Sequence, residues 1–206
     1  MISSLTADSV AEGMLPAGEL VIRKAAMRDI APLLDLINGY AAKGIMLPRT
    51  EFELSESIRD FSVAYSGNKL AGCGALHFYT PTMGEIRSLA VDERAKTHGV
   101  GRRIIEVLID EAASHSLDAV FAFTYVPDFF RKVGFEEVER GELPLKAWKD
   151  CLRCPKFQCC DEVAMVRVLR RDHWEQSRPH AWDESPAFAQ DDLLVLLPTV
   201  KRSEVT

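Results

Sequence analysis

The sequence predicts a mixed α/β fold built in layers, and three observations carry that reading. β-rich runs and helical periodicity alternate along the chain in the order β-α-α-β-β-β-α-β-α-β-β. Gly67-Asn68 separates two β-rich runs and reads as a hairpin turn. The run Ser88 to Val91 leads into a glycine-bearing loop and then a strongly amphipathic helix, which is a strand–turn–helix unit.

Each element follows from its own residues. Leu20 to Lys24 is a short β-rich run. Asp29 to Ile37 places Ile30, Leu33, Leu34 and Ile37 on one helical face. Thr50-Glu51-Phe52-Glu53 is a capping box, so a second helix starts there and runs to Ile58. Phe61 to Tyr65 and Lys69 to Phe78 form the two arms of the hairpin. Tyr79 to Met83 holds Pro81 and reads as a loop. Glu85 to Val91 is the next strand. A long helix over Arg102 to Ser114 carries Ile104, Val107, Leu108 and Ala112 inward, with Arg103, Glu106, Asp110 and Glu111 outward. Ala119 to Phe123 reads as a buried strand, and Asp128 to Val133 as a short helix ended by Gly134. Phe135 to Val138 and Val163 to Leu169 are the last two strands. Residues 1–19 read as a mobile tail and 20–170 as one domain. Residues 171–206 read as an extension without a predicted structure, and the stretch from Leu143 to Asp161 is unassigned.

Composition narrows the function classes. Apolar residues make up 47% and charged residues 27% of 206, which fits a globular chain rather than a disordered one. The net charge of −6 argues against a nucleic-acid partner, because phosphate backbones need a basic surface. No apolar run approaches the roughly 20 residues that span a bilayer, and the start lacks a signal-peptide pattern. A cytoplasmic protein without a membrane partner is the expectation. In that compartment the five cysteines favour free thiols or metal ligands over disulfides.

The most informative stretch is Ser88-Leu89-Ala90-Val91-Asp92-Glu93-Arg94-Ala95-Lys96-Thr97-His98-Gly99-Val100-Gly101-Arg102. A helix start presents main-chain N–H groups and the positive end of a dipole, both of which attract phosphate. Gly99 and Gly101 remove side chains where a pyrophosphate would approach. Lys96, Arg102 and Arg103 gather positive charge in an otherwise acidic chain. The competing reading is a tight turn that holds no ligand. Walker A and Gly-x-Gly-x-x-Gly patterns are absent.

Lys96-Thr97-His98-Gly99-Val100-Gly101 resembles the Gln/Arg-x-x-Gly-x-Gly/Ala motif of the GNAT N-acetyltransferases, with Lys96 departing from the usual first residue. Flanking segments resemble the short, N-acetylglutamate-synthase-like amino-acid acetyltransferases. These are Gly44 to Arg49, Gly72 to Leu76, Gly84 to Val91, Phe129 to Phe135, Trp148 to Phe157 and Cys160 to Met165. The resemblance spans roughly Leu20 to Leu169. It implies the GNAT fold, a central mixed and mostly antiparallel twisted sheet flanked by helices, with acetyl-CoA as cosubstrate. It also implies that Leu89, Ala90 and Val91 pair with the pantetheine arm, while the turn Lys96, Thr97, His98, Gly99, Val100, Gly101 and Arg102 holds the pyrophosphate.

Acetyl transfer from a thioester to an amine needs a base for the amine, a donor for the oxyanion, a proton for the departing thiolate and alignment of both substrates. Glu85 is the candidate base, at the position where related synthases place a glutamate. The competing reading is a carboxylate at a strand edge. Tyr125 is the candidate acid, as a phenol that can protonate a thiolate. Thr124 is its rival, because longer relatives carry a hydroxyl there. Arg49 and Arg87 are candidates for an acceptor carboxylate, since a guanidinium fork matches one bidentately. The longer synthases carry an arginine and a serine before the last strand, where this chain has Cys159-Cys160-Asp161-Glu162. Asp161 and Glu162 would repel a second carboxylate, or attract a cationic amine.

Cys151, Cys154 and Cys160 form Cys-x2-Cys-x5-Cys beside Cys159. A structural zinc and plain packing are both open readings of this loop, and no metal ligand is assigned. The expected activity is transfer of acetyl from acetyl-CoA to the α-amine of an amino acid, glutamate or glutamine foremost, by direct attack in a ternary complex. Glutamate as acceptor would make this the first step of arginine biosynthesis. Another small amine, a protein N-terminus, or a non-catalytic acetyl-CoA sensor are the alternatives. A homodimer is allowed for.

Overall fold

The computed structural model describes residues 19–143 and 160–177. The first strand, β1 (Leu20–Lys24), lies at one edge of the sheet and pairs antiparallel with β2 (Phe61–Ser66). Helix α1 (Ile30–Ala41) and helix α2 (Glu51–Ser57) fill the connection between them. Thr50 caps α2 as its sequence predicts: its hydroxyl accepts from the Glu53 N–H at 3.2 Å, and the Glu53 carboxylate accepts from the Thr50 N–H at 2.8 Å. Helix α1 runs four residues past Ile37 despite Gly39. Tyr40 anchors the extra turn, donating its hydroxyl to the Val91 carbonyl at 2.6 Å, so tertiary contact overrides a weak propensity.

The hairpin of β2 with β3 (Lys69–Phe78) turns at Gly67, whose φ is 57°. β4 (Met83–Val91) pairs antiparallel with β3 and reaches helix α3 (Val100–Ser114) through a loop. α3 starts two residues earlier than its apolar face suggests, with Gly99 as its N-cap. β5 (Ala119–Thr124), helix α4 (Pro127–Lys132), the two-residue β6 (Glu136–Glu137) and β7 (Val163–Val168) follow. β6 is shorter than the run Phe135 to Val138, because Phe135 turns into the core before the ladder begins. A final helix, α5 (Arg171–Ser177), occupies a stretch the sequence leaves unassigned and buries Trp174 against Phe121 and Val166.

The seven strands form one sheet in the order β1-β2-β3-β4-β5-β7-β6, antiparallel except where β4 meets β5. One face carries α3, whose Ile104, Ile105 and Leu108 are fully buried, and the other carries α1 and α2 through Leu33, Ile37 and Leu54. α3 lies unusually close to β3. A Cβ at Gly72 would come within 2.9 Å of the Ala90 carbonyl and 3.0 Å of Ile104, and one at Gly74 within 2.9 Å of Ile104. Those two glycines set the depth at which the helix sits, and with it the position of its N-terminus.

Candidate active site

Two local irregularities in β4 create the site. The first is a bulge. Cys73 pairs with Ala90 and Ala75 with Arg87, so β4 spends three residues where β3 spends two. Ser88 takes up the extra length with φ 51°, a left-handed conformation rare for a residue with a side chain. The bulge reverses the alternation of side chains. Before it, Glu85 and Arg87 share a face with Ala75, which packs under α1 and α2; after it, Leu89 packs on the α3 side and Ala90 on the other. The second irregularity is a parting of strands. β4 and β5 pair only over Met83–Glu85 and Ala119–Phe121, and the ladder stops there.

Beyond that point β4 and β5 enclose a cleft of about 1120 Å³, closed by the loop 44–49, the start of α3 and the turn after β5. Ile86 to Val91 of β4 form one wall of it. The loop is pinned by Asn38, which donates to the Arg49 carbonyl and accepts from the Arg49 N–H, both at 2.9 Å. That clamp directs the chain around Arg49, whose side chain is half-buried at the cleft.

The turn between β4 and α3 is built from its own side chains. The Asp92 carboxylate accepts from the Arg94 N–H and guanidinium, each at 2.9 Å, and the guanidinium holds that carboxyl below its ordinary pKa. Thr97 and Gly99 then adopt φ 74° and 73°. The first helical bond of α3 runs from the Arg103 N–H to the Gly99 carbonyl at 3.1 Å, so the N–H groups of Val100, Gly101 and Arg102 precede the helical ladder. These are the donors that a pyrophosphate seeks at a helix start.

The residues singled out by sequence converge here. Glu85, Arg87, Leu89, Ala90, Val91, Lys96, Thr97, Gly99, Val100, Gly101, Arg102, Arg49, Thr124 and Tyr125 all line the cleft. His98 does not; its ring faces back to the Lys96 carbonyl at 3.0 Å. Lys96 is engaged by Glu93 at 2.8 Å and lies 5.3 Å over the Tyr40 ring, and these neighbours raise its pKa above the ordinary lysine value. Arg102 forms an exposed pair with Glu106 at 3.3 Å. Thr124 accepts from the Val126 N–H at 3.0 Å, which fixes the turn that presents Tyr125.

Phe129, from the segment that carries the family resemblance, also lines the cleft. Sequence reading missed Asn38, Tyr40 and Arg140. No motif announces them, and each acts through a partner distant in sequence. Arg140 lines the cleft with Cys160 and Glu162. Its guanidinium donates to the Glu162 carbonyl, contacts the Cys160 sulfur at 3.2 Å and lies 5.7 Å from the Phe123 ring. Glu162 therefore enters the wall beside a cation, while Asp161 is not among the lining residues. Cys151, Cys154 and Cys159 fall outside the described residues, so the zinc reading of that loop does too. Among the described residues no cluster of three metal-ligating side chains occurs, and no helix is long and apolar enough to cross a membrane. Cys73 is fully buried, and burial pushes its thiol up to about 12.

A bulged strand, a split sheet and a helix start face one cleft, whose N–H donors suit an anionic ligand. Residues 34–135 match the acetyltransferase (GNAT) family. An uncharacterized N-acetyltransferase of Chlorobaculum tepidum is 39% identical over 75% of this chain and all of its own length. An amino-acid acetyltransferase of Mycobacterium tuberculosis is 37% identical over 65% of this chain and 78% of its own. Among solved structures, N-acetylglutamate synthase from Neisseria gonorrhoeae, complexed with coenzyme A and N-acetyl-glutamate, superposes with a TM-score of 0.68 at 30% identity. That match covers 75% of this chain but 36% of the synthase. The chain belongs to the GNAT acetyltransferase family. It is an N-acetyltransferase with acetyl-CoA as cosubstrate.

Proposed function

We propose that the chain transfers acetyl from acetyl-CoA to the α-amine of an amino acid, glutamate foremost and glutamine next, by direct attack in a ternary complex. The observation that carries this reading is the place of Glu85. It stands where β4 and β5 part, in a cleft that Arg49, Arg87 and Arg140 also line, besides Arg102 at the start of α3. A base in that position meets an amine whose carboxylates are held by cations. The names of the relatives, amino-acid acetyltransferase and N-acetylglutamate synthase, support the same acceptor class. With glutamate the product would open arginine biosynthesis.

In this reading the turn from Lys96 to Arg102 holds the pyrophosphate, chiefly through the N–H groups of Val100, Gly101 and Arg102, since those of Lys96 and His98 already donate to carbonyls of the turn, and main-chain groups of Leu89 to Val91 pair with the pantetheine arm. Tyr40 already donates to the Val91 carbonyl and the Ala90 main chain meets the Cys73 thiol, which favours the Leu89 main chain as a pantetheine partner. Glu85 takes the amine proton, and Tyr125 returns one to the thiolate. Thr124 is the second choice for that acid, since it already serves its turn. Glu162 in the wall favours a second reading, an amine without a second carboxylate, while Arg140, which donates to the Glu162 main-chain carbonyl, brings a positive charge to the same wall.

Coenzyme A release measured over a panel of amino acids, small amines and N-terminal peptides tests the acceptor. Glu85→Gln is expected to lower kcat about 100-fold or more while acetyl-CoA still binds. Tyr125→Phe is expected to act in the same direction. Turnover retained in both variants sinks the proposed roles, and no turnover with any amine favours an acetyl-CoA sensor.

A further inference from the structure

Behind the proposed base lies a row of charged side chains from three different elements. On the face of the sheet under α1 and α2, His77 of β3 sits directly across from Glu85 of β4, and Ala75 across from Arg87. Asp60, in the single turn of 3-10 helix between α2 and β2, reaches over this ladder from the side. The His77 Nδ1 lies 2.7 Å from the Asp60 Oδ2. The same carboxylate oxygen is 3.8 Å from Arg87, and Arg87 is 3.9 Å from Glu85. Exposure of the side chains falls along the row, from 35% at His77 through 26% at Asp60 to 15% at Arg87 and 12% at Glu85. The row thus leads from the surface into the cleft wall, and only its last two members line the cleft.

We propose that Asp60, itself oriented by His77, is a positioning residue that holds the Arg87 guanidinium beside Glu85 in the acceptor half of the cleft. An ionised carboxylate only accepts hydrogen bonds, so the short contact places a proton on His77 Nδ1 and makes the imidazole a donor. The ring is held from a second side by Tyr79, edge-on at 5.1 Å. The turn that carries Asp60 is tied down as well: its main-chain carbonyl accepts from Lys24 Nζ at 3.3 Å, and Lys24 is paired with Glu111 of α3 at 2.8 Å. Arg87 therefore has a carboxylate on each side, one fixed to the scaffold and one in the cleft. Both ion pairs are longer than a hydrogen bond, so they hold the guanidinium by charge rather than by a shared proton. Asp60 balances the pull of Glu85. Without it, that balance shifts toward Glu85, and the guanidinium charge is drawn from its place beside the acceptor. This inference rests on the reading of Glu85 as base and Arg87 as acceptor-carboxylate partner.

The test compares Asp60→Asn, His77→Gln, Arg87→Gln and the double variant Asp60→Asn/Arg87→Gln in the full chain. Acetyl-CoA is the donor, and the acceptor is whichever amino acid of the panel turns over fastest. Asp60→Asn is expected to raise the acceptor KM about tenfold while the acetyl-CoA KM stays within about twofold, as loss of a charged contact confined to one subsite requires. His77→Gln is expected to act in the same direction and more weakly. Asp60→Glu, which keeps the charge, should recover most of the loss. The double variant should match Arg87→Gln alone, because Asp60 acts through Arg87. Multiplying losses in the double variant, or an unchanged acceptor KM in Asp60→Asn, overturns the inference.

A second readout needs no turnover. The 15N resonance of the Arg87 Nε–H group, assigned by its loss in Arg87→Gln, should shift and exchange faster with water in Asp60→Asn and His77→Gln. Should no amino acid be acetylated, the acceptor reading fails on its own and this resonance decides the present inference. A resonance that does not move overturns it.

Discussion

Gly99 and Gly101 lie two residues apart in the turn between β4 and α3, proposed above to hold the pyrophosphate, and their surroundings give them different physical duties. At Gly99 a Cβ would meet nothing within 4 Å, but the backbone is left-handed, with φ 73° and ψ 7°. Alanine there costs about 1–2 kcal/mol in conformational energy. A stiffer unfolded chain offsets about 0.4–1 kcal/mol of that. The net loss for Gly99→Ala is then about 1 kcal/mol, or about 2–4 °C in Tm for a chain of this size. If the turn relaxes instead of bearing the strain, the N–H groups of Val100 to Arg102 rotate away from the pyrophosphate and affinity falls. At Gly101 the backbone is ordinary helix, and the restraint is contact. A Cβ would lie 3.3 Å from Phe129 Cζ and 3.4 Å from Val91 Cγ2. Alanine gains about 1 kcal/mol of helix propensity there, and a displacement of a few tenths of an ångström consumes much of it. Phe129 lines the cleft, so its displacement is felt by the ligand. Thermal unfolding together with calorimetric binding of coenzyme A separates the two effects. Gly99→Ala should lose both stability and affinity, and Gly99→Asn should recover more than half, because asparagine tolerates a left-handed backbone. Gly101→Ala should keep its Tm within about 2 °C and bind coenzyme A about fivefold more weakly. Wild-type Tm and affinity in Gly99→Ala, or no advantage of asparagine over alanine, would refute this reasoning.

Further predictions concern the rest of the scaffold. Asp29 is 1% exposed and accepts from Arg23 at 2.7 and 2.8 Å, from the Ala26 N–H at 2.8 Å and from the Tyr65 hydroxyl at 2.9 Å. The Arg23 guanidinium, foremost among these, holds its carboxyl well below the usual carboxylate range. Because the folded pKa is depressed, this stabilisation is complete above the unfolded value of about 3.9 and fades as pH falls from there through the folded value. Asp29→Asn should cost about 2–3 kcal/mol at pH 7 in urea unfolding and should flatten the loss of stability below about pH 4. A variant that follows the wild-type acid profile would count against that account. Ser62 Oγ is buried and has no hydrogen-bond partner among the described residues, so Ser62→Ala should leave stability unchanged or raise it by up to about 1 kcal/mol; a clear loss would count against that account. Peptide mapping after brief alkylation should find Cys73 unmodified in the folded protein, since its thiol is buried and its pKa is pushed up to about 12. The Cys160 thiol, half-buried in the cleft wall, should react and be shielded by coenzyme A.

What the sequence determines by itself is local. The α2 cap rests on Thr50 and Glu53, the hairpin on Gly67-Asn68, and the glycine-bearing turn before α3 on residues within eleven positions of one another. Periodicity, capping and turn chemistry act between near neighbours, so the elements and the turn can be read in order. Glu85, Tyr125, Arg49 and the main chain of Leu89 to Val91 could be placed on those elements, and the fold brings them to one cleft. The sequence stops short where a long-range contact outweighs a local preference. Helix α1 continues past Gly39 because Tyr40 reaches Val91, and α5 forms where Trp174 finds an apolar pocket. Only the tertiary structure decides that Ser88 bulges and turns Leu89 over, that β4 and β5 part after Glu85, and that Gly72 and Gly74 let α3 approach so closely. It alone brings Arg140 to Glu162, and Asp60 and His77 to Arg87. These are pairings across 20 or so residues, set by strand register and helix depth. Register and depth come from the packing of the whole sheet, which no short window of residues contains.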